Sequence, residues 1–218
     1  MVACGDADGA VTGNTRRFGA SFEKITQVVG PRNNEIMFGL NLVVHKGKTI
    51  FVADTSVHEY PSSEEMSEIA ISSARVVRLF GFDPKVAFVS HSTFGQPLTS
   101  RTKHIKNAVD ILKDKDVDFK FDGDMQPDVA LNDEYKELYP FSEIVGNANI
   151  LIMPGQHSAA ISYKMMRELG GAKVIGPLLI GLGEPIEIAP LRSSTSDILN
   201  LASVAAYSAG VIDYKKKN

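Results

Sequence analysis

Cysteine is nearly absent: Cys4 stands alone in 218 residues. No intramolecular disulfide can form and no C-x-x-C pair offers zinc or redox chemistry, which points to a reducing compartment. Neither charge sign dominates. Lys and Arg number 23 against 26 Asp and Glu, a net charge of −3, so no global basic field advertises nucleic acid or an anionic membrane as a partner. The opening Met1-Val-Ala-Cys-Gly-Asp-Ala-Asp8 has neither the basic region nor the apolar stretch of a secretion signal. The most apolar run, 174–182, falls far short of the roughly 20 residues that span a bilayer. The expectation is a cytoplasmic protein without a membrane partner. Nucleotide signatures are missing too. Gly181-Leu-Gly183 is cut off by Pro185 and opens no helix, and neither a Walker A loop nor a G-x-S-x-G elbow occurs. His45, His58, His91 and His104 show no metal spacing, so no metal site is assigned.

What remains is an ordinary globular composition, 44% apolar and 22% charged. It excludes intrinsic disorder, collagen-like chains and coiled coils, and the length suits one large domain or two small ones. A glycine-rich opening, 1–13, precedes a helix expected over 15–29 that Gly30-Pro31 stops. Extended runs at 36–44 and 49–53, joined by His45-Lys-Gly-Lys48, read as an antiparallel hairpin. Ser62-Ser-Glu-Glu65 has the form of a capping box. Met66, Ile69, Ala70, Ser73, Val77 and Phe80 then recur at helical spacing up to Gly81. Strands are expected at 86–89, 119–121 and 149–153, and helices after each: one burying Ile105, Ala108, Val109 and Leu112, one over 128–138, and one over 159–169. Further strand over 174–188 is interrupted at Gly176-Pro177 and Gly183-Glu-Pro185, and a last helix starts near Thr195. The Lys215-Lys-Lys217 run reads as a solvated end. Strands alternating with helices give an α/β layered fold with a largely parallel sheet.

In such a sheet ligands sit beyond the carboxyl ends of strands, which selects three loops. Ser90-His-Ser-Thr-Phe-Gly95 combines hydroxyls and a glycine between strand and helix. It can cradle phosphate or simply cap the helix. Asp122-Gly-Asp-Met-Gln-Pro-Asp128 sets three carboxylates close together, for a cation, a general base or turn chemistry. Pro154-Gly-Gln-His-Ser158 offers His157 as an acid/base or a surface residue. Ser194-Thr-Ser-Asp197 forms a second capping box, which gives Asp197 a structural role to set against any chemical one.

The wording of whole segments is more specific. Asp118-Phe-Lys-Phe-Asp-Gly-Asp-Met-Gln-Pro-Asp-Val-Ala-Leu-Asn132 resembles the DGxMQxDxALN segment of the phosphate acetyl/butyryltransferase family. Phe51-Val-Ala-Asp-Thr55, Glu68-Ile-Ala-Ile71, Val86-Ala-Phe-Val-Ser-His-Ser-Thr-Phe-Gly95 and Ala172-Lys-Val-Ile-Gly-Pro-Leu-Leu-Ile-Gly181 match it in the same order, so that the resemblance covers about 1–210. Met153-Pro-Gly-Gln-His-Ser-Ala-Ala-Ile-Ser162 and Leu191-Arg-Ser-Ser-Thr-Ser-Asp-Ile-Leu-Asn200 are similar to one branch, the C-terminal domain of large bacterial NADP-dependent malic enzymes.

The resemblance implies a three-layer α/β/α fold of the isocitrate/isopropylmalate dehydrogenase-like kind, two lobes flanking a cleft. Lobe I would comprise 1–32 and 188–218 and lobe II 33–187; a chain starting at Met1 would lack part of lobe I. In active members the CoA thiolate attacks acetyl phosphate in the cleft, a carboxylate assists the thiol, and a Ser-Arg pair in a P-x-N-D-L-S-R-G segment meets the developing charge. Here Pro190 and Leu191 occupy the Ser-Arg positions, while the carboxylate survives as Asp197. Proline offers no hydroxyl or N–H, and leucine cannot pair with phosphate. The resemblance therefore implies an acyl-CoA-binding domain with acyl transfer lost, regulating a malic enzyme and supporting a homo-oligomer. Oxidative decarboxylation of malate to pyruvate, with NADP and Mg or Mn, would belong to N-terminal domains outside this chain. The alternative is a working phosphate acyltransferase that uses Arg192 and Asp197. The acyl-CoA or phosphate contacts expected are Thr15, Arg16, Arg17, Ser92, Thr93, Gly95, Gln126, Asp128 and Arg192, with acetyl-CoA the expected ligand.

Overall fold

The computed structural model describes residues 1–217, in two compact units: 1–41 with 175–217, and Leu42–Val174. In chain order the elements are β1 (Ala10–Gly13), α1 (Phe18–Thr26), β2 (Phe38–His45), β3 (Lys48–Ala53), α2 (Ser63–Leu79), β4 (Lys85–Val89), α3 (Ser100–Lys113), β5 (Lys120–Met125), α4 (Pro127–Leu131), β6 (Ile150–Ile152), α5 (Gln156–Glu168), β7 (Lys173–Ile180), β8 (Ile186–Ala189) and α6 (Thr195–Lys217). The side chains of 211–218, including the Lys215–Lys217 run expected to be solvated, lie outside the described residues.

The six-stranded sheet has the order β5-β4-β6-β3-β2-β7, and β3, β4, β5 and β6 lie wholly in the larger unit. Lys46 (φ 47°) and Gly47 (φ 77°) make the two-residue turn from β2 to β3, the geometry a right-twisted hairpin requires. From β3 onward pairing is parallel: β3 with β6, β6 with β4, β4 with β5. Side chains alternate across these strands. Val52, Ala87, Val89, Leu151 and Met153 form one buried cluster with Val129 of α4 and Ala159 and Tyr163 of α5. Phe51, Phe88, Ile150 and Ile152, also buried, alternate with them toward α2 and α3, which bring Met66, Ile69, Ala70, Ile105, Val109 and Leu112. Ser62 and Glu65 close the capping box of α2 reciprocally: the Glu65 N–H donates to the Ser62 hydroxyl at 3.1 Å, and the Ser62 N–H to the Glu65 carboxylate at 2.7 Å.

Several expectations are corrected. The 119–121 strand runs on to Met125, so Asp122 and Asp124 are strand residues. Gly123 permits this because a Cβ there would lie 2.8 Å from the Phe88 carbonyl oxygen on β4. The 128–138 helix is instead two pieces, α4 and a 3₁₀ turn Asp133–Glu137. Asn132 sits between them with extended backbone, and its side-chain oxygen accepts the Glu134 N–H at 3.1 Å, a local bond that competes with continued helix. Gly176-Pro177 does not interrupt β7; as an edge strand it tolerates a residue with no N–H to give.

The smaller unit holds a parallel pair, β1 with β8, in register from Ala10↔Ile186 to Gly13↔Ala189. β1 lies inside the segment expected only to be a glycine-rich opening. α1 begins at Phe18, so Thr15 and Arg16 belong to the turn after β1, and Arg17 is its extended N-cap.

Candidate functional site

Because β3, β6, β4 and β5 are parallel, their carboxyl ends share one edge of the sheet, where ligands of open α/β sheets bind. Asp124, 1% exposed near the end of β5, organises the loop after β4. Its carboxylate accepts hydrogen bonds from the hydroxyl of Ser92, a fully buried residue, and from the Gly95 N–H at 2.9 Å. The Ser90 and Ser92 hydroxyls lie 3.2 Å apart. Every backbone N–H from Ser92 to Gln96 is used internally: Ser92 to the Ser90 hydroxyl, Thr93 to the Gln96 carbonyl, Phe94 to the Asp124 carbonyl at 2.6 Å, Gly95 to the Asp124 carboxylate, and Gln96 to the Thr93 carbonyl. An amide cradle for phosphate therefore has no free donor along this stretch. The same bonds hold Phe94 at φ 49°, its ring packed against Tyr139 and Phe141.

Gln126 is drawn to this loop, its N–H donating to the Thr93 hydroxyl oxygen at 3.2 Å and its side-chain amide to the His91 carbonyl at 2.9 Å. Asp128 is exposed on α4 and accepts the Tyr135 hydroxyl at 3.0 Å, a bond that raises the phenol pKa. Thus Ser92, Thr93, Gly95 and Gln126 come together, and Asp128 faces outward.

Beyond β3 lies a pair that sequence reasoning missed. Buried Asp54 accepts the N–H groups of Ser56 (2.8 Å), Val57 (3.2 Å) and His58 (2.6 Å), and His58 Nδ1 lies 2.8 Å from its carboxylate. The bond to Asp54 raises the His58 pKa against the opposing effect of burial, with Glu65 adding to the rise. An acid immediately after a buried strand was the available signal. His157 is exposed and meets exposed Glu59 at 3.1 Å. Among the described residues no three His, Cys, Asp or Glu gather to hold a metal.

In the smaller unit, the β1–β8 pair carries two expected segments to one place. The Asn14 N–H donates to the Ala189 carbonyl at 2.9 Å and the Arg192 N–H to the Asn14 carbonyl at 3.3 Å, so Thr15–Arg17 and 190–192 lie side by side. Thr15, Arg16, Arg17 and Arg192 are all exposed, Arg192 with φ 61°. Asp197 is engaged in the cap of α6. Its carboxylate accepts both the N–H and the hydroxyl of Ser194 at 2.8 Å, and the Asp197 N–H returns to the Ser194 hydroxyl at 3.2 Å.

Burial also marks Glu187 on β8, 4% exposed, whose carboxylate accepts the Leu179 N–H at 2.9 Å; desolvation pushes its pKa up to about 8. No helix among the described residues is long and apolar enough to cross a membrane.

The chain is similar to malic enzymes and to phosphotransacetylases. The NADP-dependent malic enzyme of Rhizobium meliloti is 46% identical over 210 residues, covering 96% of this chain and 28% of that enzyme. The phosphate acetyltransferase of Bacillus subtilis is 31% identical, covering 96% of this chain and 65% of the enzyme. A phosphotransacetylase crystal structure from Streptococcus pyogenes superposes with a TM-score of 0.89 at 30% identity, over 95% of this chain and 64% of that one. The chain thus spans little more than a quarter of the malic enzyme and under two thirds of the phosphotransacetylases. The phosphate acetyl/butaryl transferase family model matches residues 1–206, and the chain belongs to that family.

Proposed function

We propose that this chain is the phosphotransacetylase-like part of a longer, cytoplasmic malic enzyme, and that it binds acetyl-CoA or a related acyl-CoA as a regulatory ligand without transferring the acyl group. The observation that carries the reading is the state of Asp197. A carboxylate that assists a thiol must be available to take its proton; here it accepts two hydrogen bonds from Ser194 and closes a helix. Pro190 and Leu191 stand beside it in place of the Ser-Arg pair, so no hydroxyl or guanidinium from those positions meets charge on a transferring acyl group. Arg192 is exposed and one position removed.

The 46% identity to a malic enzyme, against 31% to a free-standing acetyltransferase, supports the malic enzyme branch. On this reading malate oxidation, NADP and the divalent cation belong to N-terminal domains, the two lobes are 1–32 with 188–218 and 33–187, and the assembly is a homo-oligomer. Two measurements test it together: calorimetric titration with acetyl-CoA, and an assay of CoA with acetyl phosphate. Binding without turnover is expected. Turnover that Asp197→Ala abolishes would establish the acyltransferase instead, and absence of binding would leave a purely structural domain.

A further inference from the structure

We propose that the outward face of α5 is the seam through which two copies of this chain pair, antiparallel about a two-fold axis at Met165. The seam deepens the reading above, resting on it for the homo-oligomer and naming the surface that makes it. α5 packs on the larger unit through one face: Ala159 and Tyr163 are buried in its core cluster, and Ala160 and Met166 pack against that cluster. A surface helix ordinarily carries polar residues on the opposite face. On α5 that face is apolar. Ile161, Met165 and Leu169 recur four residues apart, each turned about 40° from the next around the helix, and are 58%, 54% and 81% exposed. The Leu169 N–H still donates to the Met165 carbonyl at 2.9 Å, so the stripe is helical to its end.

The occupant is a second copy because the stripe complements itself. Ile161 and Leu169 lie about 6 Å to either side of Met165 along the helix axis. Two antiparallel copies therefore seat Met165 on Met165 and Ile161 on Leu169 twice over, as an isologous contact requires. Charge selects the same register. Lys164 and Glu168, both exposed, share one flank of the stripe and lie on opposite sides of Met165 along the axis. The two-fold brings each copy's Lys164 beside the other's Glu168. A parallel pairing would face that flank with Ser162 and Met166 and leave both charges without a counterpart. No carboxylate pairs with Lys164 among the described residues; its ammonium lies 5.8 Å from the centre of the Tyr163 ring. Glu168 meets exposed Arg167 at 2.7 Å, and a carboxylate has acceptor positions left for a second cation. The apolar stripe supplies the burial that drives association, and the flanking charges fix its direction.

The test is sedimentation equilibrium of the 218-residue chain over a concentration series. Wild type is compared with Met165→Glu, Lys164→Glu and Lys164→Glu/Glu168→Lys, circular dichroism confirming that each variant is folded. All three positions are exposed, so these changes leave the packing of a single chain untouched. Wild type is expected at twice the chain mass of 23.6 kDa. Met165→Glu sets two carboxylates together at the axis and should weaken association at least a hundredfold. Lys164→Glu should weaken it tenfold or more, and the double charge reversal should recover what the single change loses. An oligomer that Met165→Glu leaves intact overturns the seam, while the homo-oligomer of the reading above stands through another face. A wild-type chain that stays monomeric throughout overturns the homo-oligomer and the seam with it. A charge reversal that recovers nothing overturns the antiparallel register.

Discussion

The Ser92 hydroxyl donates a hydrogen bond to the Asp124 carboxylate, and both residues are buried. A buried polar group left without its donors is costly, so Ser92 and the Gly95 N–H hold the Asp124 side chain in place. Ser92→Ala removes one donor and should lower the unfolding free energy by about 1–3 kcal/mol, measured by urea denaturation. A change of only a few tenths would mean that water or another donor replaces the hydroxyl and that the loop is not held from within.

The same pair shows where a sequence is readable and where it is not. The Ser62–Glu65 and Ser194–Asp197 caps and the Lys46-Gly47 turn were legible because each is decided within four residues. Strand β1 was not: its four residues, flanked by glycine, become a strand by pairing with β8, at the far end of the chain. The reach of β5 through two aspartates depends on Ser92 and Gly95 across the sheet, partners no local pattern announces. At the candidate site Arg16 was accessible through family wording. It lies beside 190–192 only because β1 pairs with β8 from the other end of the chain.

Asp197→Ala separates structural from chemical roles. Loss of a capping carboxylate at the start of α6 should cost about 1 kcal/mol of stability, since Ser194 loses its reciprocal acceptor. On the reading proposed here it should leave acetyl-CoA affinity within about twofold. A tenfold loss of affinity in a variant that unfolds at the wild-type urea concentration would place the carboxylate on the ligand instead.

His58 links stability to pH in the opposite sense from a salt-bridged acid. Its pKa is raised above 6.5, chiefly by the Asp54 bond, so the folded state holds the proton more tightly than the unfolded chain. The stabilisation is complete below pH 6.5 and is lost as pH rises through the folded value. Urea denaturation of wild type and His58→Asn from pH 5.5 to 8.5 should give curves that converge toward the alkaline end. A constant difference across that range would show that the pair contributes packing but no proton linkage.

Glu187 makes the strongest pH prediction because burial raises its pKa and, among the described residues, the Leu179 N–H opposes that rise only in part. With a folded pKa of about 8 against 4.5 in the unfolded chain, the native protein binds the extra proton between those values. Stability should therefore be unaffected by this group below pH 4.5, fall as pH rises toward 8, and level off above it. The slope approaches about 1.4 kcal/mol per pH unit where the difference in proton occupancy is complete. Glu187→Gln keeps an oxygen for the Leu179 N–H, carries no ionisable proton, and occupies nearly the same volume. The variant should match wild type near pH 5 and exceed it increasingly toward pH 8. A variant less stable than wild type at pH 8 would mean that the ionised carboxylate has a compensating partner, and that β8 tolerates a charge at its buried face.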